Sequence, residues 1–143
     1  MGCYWHVQDL FNKCPGVLST TAGFVSGAEA VELTYDAQVV NYEELVELFF
    51  ASHDPSAFRA VGEKGPGGKY RCEIYALDDE QRATAGSVRA RVAGDVATPV
   101  LSADAPFEPA PAEEQDYYRR RRGDQPEKWP LAALASLPVK LED

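Results

Sequence analysis

The chain has 143 residues, 45% of them hydrophobic and 26% charged, which suits one domain with a core of its own. Its formal net charge of −9 at pH 7 disfavours nucleic acid and anionic membrane surfaces as partners, and no apolar run approaches the roughly 20 residues of a membrane-spanning helix. Three cysteines (Cys3, Cys14 and Cys72) and two histidines, with no Cys-x-x-Cys spacing, fit neither a disulfide scaffold nor a zinc site and read as reduced thiols.

Gly2-Cys3-Tyr4-Trp5 carries the most chemistry. A cysteine stands where a helix is expected to open, and two aromatic residues follow it. The unpaired N–H groups and positive dipole end of a helix favour a thiolate, the reactive form of cysteine. A buried structural cysteine among core aromatics is the other reading of these four residues.

From Tyr4 to Lys13, Trp5, Val7, Leu10 and Phe11 recur at helical spacing, and Pro15-Gly16 ends the helix. Val17 to Val25 reads as a strand, Ser26-Gly27 as a turn, and Ala30 to Tyr35 alternates as a half-buried strand. Asn41 to Glu44 forms a capping box, opening a helix that His53-Asp54-Pro55 stops. Val61 to Lys69 is a glycine-rich loop without the Lys-Ser/Thr ending of a phosphate-binding loop. Tyr70 to Leu77 reads as a strand, with Tyr70, Cys72 and Ile74 on one face and Arg71, Glu73 and Tyr75 on the other.

Asp78-Asp79-Glu80 opens a helix to about Val92, and Pro99 to Leu101 is expected as an edge strand. Ala103 to Pro111 reads as a Pro/Ala loop, followed by a short helix through Arg122 and an irregular tail. The run Arg119-Arg120-Arg121-Arg122 is either a grip for an acidic partner or a solvated helix end. These elements predict a single α+β domain over residues 1–143, a two-layer sandwich with helices packed on a mixed sheet.

The ordered set resembles the type A peptide methionine sulfoxide reductase family. Gly2-Cys3-Tyr4-Trp5 is similar to that family's Gly-Cys-Phe-Trp nucleophile motif. The likeness continues through Pro15-Gly16-Val17, Ser19 to Gly23, Ala28 to Val31, Tyr35-Asp36 and His53-Asp54-Pro55. It resumes at Tyr70-Arg71, Ile74-Tyr75, Phe107, Pro109-Ala110 and Gln115-Asp116-Tyr117, covering about four-fifths of the chain.

The resemblance implies the ferredoxin-like fold of methionine sulfoxide reductase A and thiol-dependent reduction of methionine-S-sulfoxide, free or in peptides, through a cysteine sulfenic acid. It assigns the nucleophile to Cys3, the acid to Glu29, and a hydroxyl at the oxygen site to Tyr70. Tyr4 and Trp5 would form the pocket for the substrate methyl group, with His6 beside them. No cofactor or metal is implied, and the reductant would be an external thiol such as thioredoxin or glutaredoxin. A cytoplasmic monomer that binds neither nucleic acid nor membrane is expected.

The chain departs from the family pattern around this site. The family runs a strand into the nucleophile motif, so the first strand of the sheet is expected to be missing here; an apolar strand upstream would restore it. A loop that supplies a further tyrosine hydroxyl is reduced to Phe24-Val25-Ser26-Gly27, and the histidine two residues before the acid is Gly27. The active-site aspartate is replaced by Gly65 and a glutamine by Lys69. The late Glu-Asp-Tyr-His is Pro111-Ala112-Glu113-Glu114, and a glutamate after the nucleophile is Gln8.

His6 is new; it either lowers the thiol pKa as a cation or lies on the helix surface. Cys14 lies about 16 Å along the helix from Cys3, beyond disulfide reach. Cys72 is either a buried structural thiol or a resolving one. Two other functions stay open on these departures. One is a diverged Cys3-dependent enzyme acting on another small sulfur-containing substrate. The other is a non-catalytic binding module.

Overall fold

Two helices of this chain begin where the side chain of the cap residue satisfies a first-turn N–H group. The structure, a computed structural model, describes residues 3–53, 55–56, 71–123 and 128–132. Helix α1 (Tyr4–Asn12) leads into strands β1 (Val17–Val25) and β2 (Ala28–Tyr35), then helix α2 (Tyr42–Ala51). At the start of α2, Asn41 Oδ1 accepts the Glu44 N–H at 2.8 Å while the Asn41 N–H donates to Glu44 Oε2 at 3.0 Å, the predicted capping box. Strand β3 (Ile74–Ala76) precedes helix α3 (Asp79–Arg91), whose Asp78 cap accepts the Gln81 N–H at 2.7 Å.

Strands β4 (Val100–Ser102) and β5 (Phe107–Pro109), a 3₁₀ turn (Ala112–Glu114) and helix α4 (Tyr117–Arg122) complete the described elements. Strand β1 pairs antiparallel with β2 on one side and β5 on the other, while β3 and β4 pair in parallel. The chain is therefore an α+β protein with both kinds of strand pairing, as its sequence predicts.

Two local predictions change. Of the strand expected from Tyr70 to Leu77, Tyr70 lies outside the described residues, and the described part is regular only over Ile74–Ala76, where it pairs with β4. Conversely, Phe107–Pro109 is a strand inside the expected loop. It can lie against β1 because Gly23 has no side chain: a Cβ there would stand 2.3 Å from the Glu108 carbonyl oxygen and 2.6 Å from the Phe107 ring.

Helix α2 is the shared wall of two cores. Its Leu45 and Leu48 pack with Phe11, Cys14 and Val17, while its Val46 and Phe50 pack with Ala85 and Val88 of α3. Lys128 and Trp129 close the far end of α1. The Lys128 ammonium donates to the Cys14 and Val17 carbonyls at 3.2 and 2.8 Å, and the Trp129 N–H donates to the Lys13 carbonyl at 2.9 Å. A cation there also suits the negative end of the helix dipole.

A cavity of about 460 Å³ lies between the two sheets. Residues 29–33 of β2 all line it, so it follows an edge of that strand rather than one of its faces; Glu73 to Tyr75 stand on the β3 side. Val7 and Phe11 of α1 and Val46 and Phe49 of α2 give it an apolar wall.

Candidate active site

Cys3 is the N-cap of α1, with extended backbone angles of φ −62° and ψ 126°. Its carbonyl accepts the His6 and Val7 N–H groups at 3.2 and 3.4 Å, so the first helical turn closes on the cysteine itself. Its side chain makes no capping hydrogen bond and is partly exposed. The sulfur thus stands at the positive end of a nine-residue helix, which favours its thiolate.

Glu29 is carried to the same helix end by the β1–β2 hairpin. Ser26 and Gly27 have φ of 48° and 77°, the left-handed pair that a two-residue hairpin turn requires. The turn sets Phe24 opposite Glu29, and Arg71 Nη2 holds it by donating to the Ser26 carbonyl at 3.0 Å. Glu29 Oε1 then accepts the Tyr4 N–H at 3.0 Å. The carboxyl is fixed to the amide immediately after Cys3, 25 residues away in sequence.

The two aromatic residues after Cys3 separate. Tyr4 is buried against Ala22 and Ala110, and its ring meets Phe24 edge-on at 5.6 Å. Trp5 stays partly exposed and packs against the late part of the chain. Its indole stacks on Tyr117 with ring centroids 3.7 Å apart and planes 6° from parallel, and Tyr118 meets it edge-on at 6.3 Å. The indole N–H donates to Glu114 Oε2 at 2.8 Å. His6 is exposed, and its Nε2 pairs with the Tyr118 hydroxyl at 3.1 Å.

Behind this wall, Gln8 and Gln115 lock α1 to the late segment. Gln8 Nε2 donates to Gln115 Oε1 at 3.1 Å, and Gln8 Oε1 accepts the Asp116 N–H at 2.8 Å. Asp116 is left-handed, with φ 50°, and its carboxylate accepts from Asn12 Nδ2 at 2.9 Å.

All four arginines of α4 engage their own chain. Arg119 reaches Asp116 at 3.3 Å, Arg120 donates to the Gln115 and Glu113 carbonyls, Arg121 lies over the Tyr117 ring at 4.6 Å, and Arg122 pairs with Asp9 at 2.7 Å.

Burial alone would raise the Asp9 pKa, but the Arg122 and Lys13 hydrogen bonds and charges outweigh it and hold the carboxyl below its ordinary value. A depressed folded pKa gives stabilisation that is complete above the unfolded value of about 3.9 and is lost as pH falls through the folded value. Asp9→Asn is therefore expected to cost about 0.5–1 kcal/mol at pH 7, discounted for solvent screening, and almost nothing near pH 2. Urea denaturation of both proteins at the two pH values measures this difference.

Arg71, Glu73 and Tyr75 share one side of their segment, as the alternation predicts, and join there. Arg71 Nε donates to Glu73 Oε1 at 3.1 Å, and the Tyr75 hydroxyl donates to the other Glu73 oxygen. Burial and the Glu73 carboxylate push the Tyr75 phenol well above its usual pKa. All three line the cavity that also receives Glu29.

Tyr70 and the glycine-rich loop with Gly65 and Lys69 lie outside the described residues. Cys14 and Cys72 are both buried, and desolvation pushes the Cys14 thiol up despite the nearby Lys128 charge. Among the described residues no helix is long and apolar enough to cross a membrane, and no group of three metal-ligating side chains converges.

The structure thus brings Cys3, Glu29, Tyr4 and Trp5 to one end of α1. The alliance of Trp5 with Glu114 and Tyr117 escapes sequence reasoning: partners 109 or more residues apart leave no local periodicity, and only the Gln115-Asp116-Tyr117 motif marks the region.

A profile of the family described as peptide methionine sulfoxide reductase matches residues 26–132. Peptide methionine sulfoxide reductase MsrA of Leifsonia xyli is 38% identical, with 83% of this chain and 80% of that protein covered. The protein of the same name from Mycolicibacterium vanbaalenii is 39% identical over the same shares. Among solved structures, methionine sulfoxide reductase A of Corynebacterium diphtheriae superimposes with a TM-score of 0.68 at 25% identity, over 85% of this chain and 72% of that one. Mxr1 from Saccharomyces cerevisiae, with a TM-score of 0.61 at 21% identity over 86% and 76%, shares the fold.

Proposed function

The chain belongs to the peptide methionine sulfoxide reductase family, and from that premise we propose that it reduces methionine-S-sulfoxide, free or in peptides, with Cys3 as nucleophile and an external thiol as reductant. The observation that carries this assignment is the 3.0 Å hydrogen bond from the Tyr4 N–H to Glu29 Oε1. It ties a carboxyl to the helix end that bears the cysteine, as a nucleophile and its acid partner require.

In this mechanism the Cys3 thiolate attacks the sulfoxide sulfur. Glu29, held through Oε1, presents its other oxygen and delivers a proton to the sulfoxide oxygen. The sulfur–oxygen bond of the substrate breaks, methionine leaves, and the oxygen stays on Cys3 as a sulfenic acid. One external thiol then displaces water to form a mixed disulfide, and a second releases the Cys3 thiol. The sum is methionine sulfoxide plus two thiols giving methionine, one disulfide and water. Burial of Cys14 and Cys72 supports an external rather than an internal resolving thiol. Tyr4 and Trp5 form the apolar wall for the substrate methyl group, and Tyr70 supplies a hydroxyl to the oxygen site.

Incubation with the S-epimer of an N-acylated methionine sulfoxide and dithiothreitol tests the proposal. Turnover of the S-epimer over the R-epimer is expected, with Cys3→Ser reduced to the reagent background. A Cys3→Ser protein as active as the unsubstituted one would overturn the assignment.

A further inference from the structure

Stacking and hydrogen bonding constrain an aromatic ring in different ways. A parallel neighbour fixes the plane of the ring but leaves it free to slide and turn within that plane. A directional N–H···O bond to the edge removes that freedom. Trp5 has both: Tyr117 lies parallel at 3.7 Å, and Glu114 Oε2 accepts the indole N–H at 2.8 Å.

We propose that Glu114 is the positioning residue of the substrate wall, fixing by its carboxylate which edge of the Trp5 indole faces the Cys3 end of α1. The proposal rests on the assignment of Trp5 to the methyl pocket. It goes further in naming a residue at which the chain departs from the family pattern, within Pro111-Ala112-Glu113-Glu114.

The surroundings suit this role. Glu114 ends the 3₁₀ turn, and the Gln115 side chain that follows binds the Ala22 N–H and carbonyl at 2.9 and 2.8 Å. The acceptor is therefore built on a segment anchored to β1 and does not depend on a loose loop. The Arg120 guanidinium donates to the Glu113 and Gln115 carbonyls on either side of it. A charged acceptor is also the stronger partner for an indole N–H. Tyr118 and His6 support the same wall from its outer side, through their mutual hydrogen bond and the edge contact of Tyr118 with Trp5.

The test compares Glu114→Ala and Glu114→Gln in a Trp129→Phe background, where Trp5 is the only tryptophan. Glu114→Ala is expected to make Trp5 emission about twofold more quenchable by acrylamide without substrate. It should also raise KM for the S-sulfoxide about tenfold with kcat held within threefold. Glu114→Gln keeps an oxygen acceptor and should restore both readouts to within threefold. Unchanged Trp5 quenching in Glu114→Ala would overturn the proposal, and so would more quenching with unchanged KM. A parent protein with no turnover but with the quenching difference intact would overturn the reductase assignment and with it the substrate role of Glu114, leaving the clamp itself established.

Discussion

Glu29→Gln is expected to lower kcat/KM for methionine-S-sulfoxide by about 10²–10³-fold while leaving the fold intact. The structural role of this side chain and its proposed catalytic role can be separated because the proposal puts them on different oxygens. Its Oε1 accepts the Tyr4 N–H at 3.0 Å, and a glutamine carbonyl can accept the same bond. Its other oxygen is the proposed proton donor, and an amide there still offers a hydrogen bond but has no acidic proton to give. The variant should therefore fold normally and still bind substrate, with the loss falling mainly on kcat. Glu29→Ala removes both roles. It leaves the first turn of α1 without its partner and should cost a further 1–2 kcal/mol of stability. Kinetics with the S-epimer, paired with urea denaturation of both variants, measure the split. Near-normal kcat/KM in Glu29→Gln would show that the proton comes from elsewhere.

Sequence and structure agree best where the physics is local. The α2 capping box, the Asp78 cap of α3 and the Ser26-Gly27 turn each involve residues within a few positions of one another, and each forms as its pattern predicts. The turn does more than join two strands, since it sets Phe24 opposite Glu29 and so brings the acid to α1. What the sequence hides depends on distance along the chain. β5 is three residues long and ends in a proline, so it has no alternation to read; what places it is the bare backbone of Gly23, 84 to 86 residues earlier by the numbering. The Glu114–Trp5 bond and the Arg122–Asp9 pair close over even longer separations. The arginine run shows the same limit: as a string it reads as a grip for an acidic partner or a solvated helix end, and only the fold shows that each member also has a partner in its own chain.

Gln8→Leu is expected to destabilise the protein by about 2–4 kcal/mol, although leucine fills nearly the same volume. Gln8 is only 1% exposed. Its amide donates to the Thr20 carbonyl at 3.3 Å and to Gln115 Oε1 at 3.1 Å, and its carbonyl accepts the Asp116 N–H at 2.8 Å. Leucine abandons these partners in a place water does not readily reach, so the cost is that of unpaired buried groups and not of a cavity. Asp116 is also left-handed, and the Gln8 bond is one of the contacts that hold it there. Because Tyr117 follows directly and stacks on Trp5, loosening this joint should raise KM as well. Gln8→Glu separates the causes. It keeps an acceptor for Asp116 but sets a buried carboxyl against the Thr20 carbonyl. Burial raises the pKa of such a group in the folded state, so its stabilising protonated form is lost as pH rises through that value. Gln8→Glu should therefore be more stable relative to the unsubstituted protein at pH 5 than at pH 8, while the deficit of Gln8→Leu stays the same. Urea midpoints at the two pH values measure this, and a Gln8→Leu deficit below about 0.5 kcal/mol would mean that Gln115 alone holds the late segment to α1.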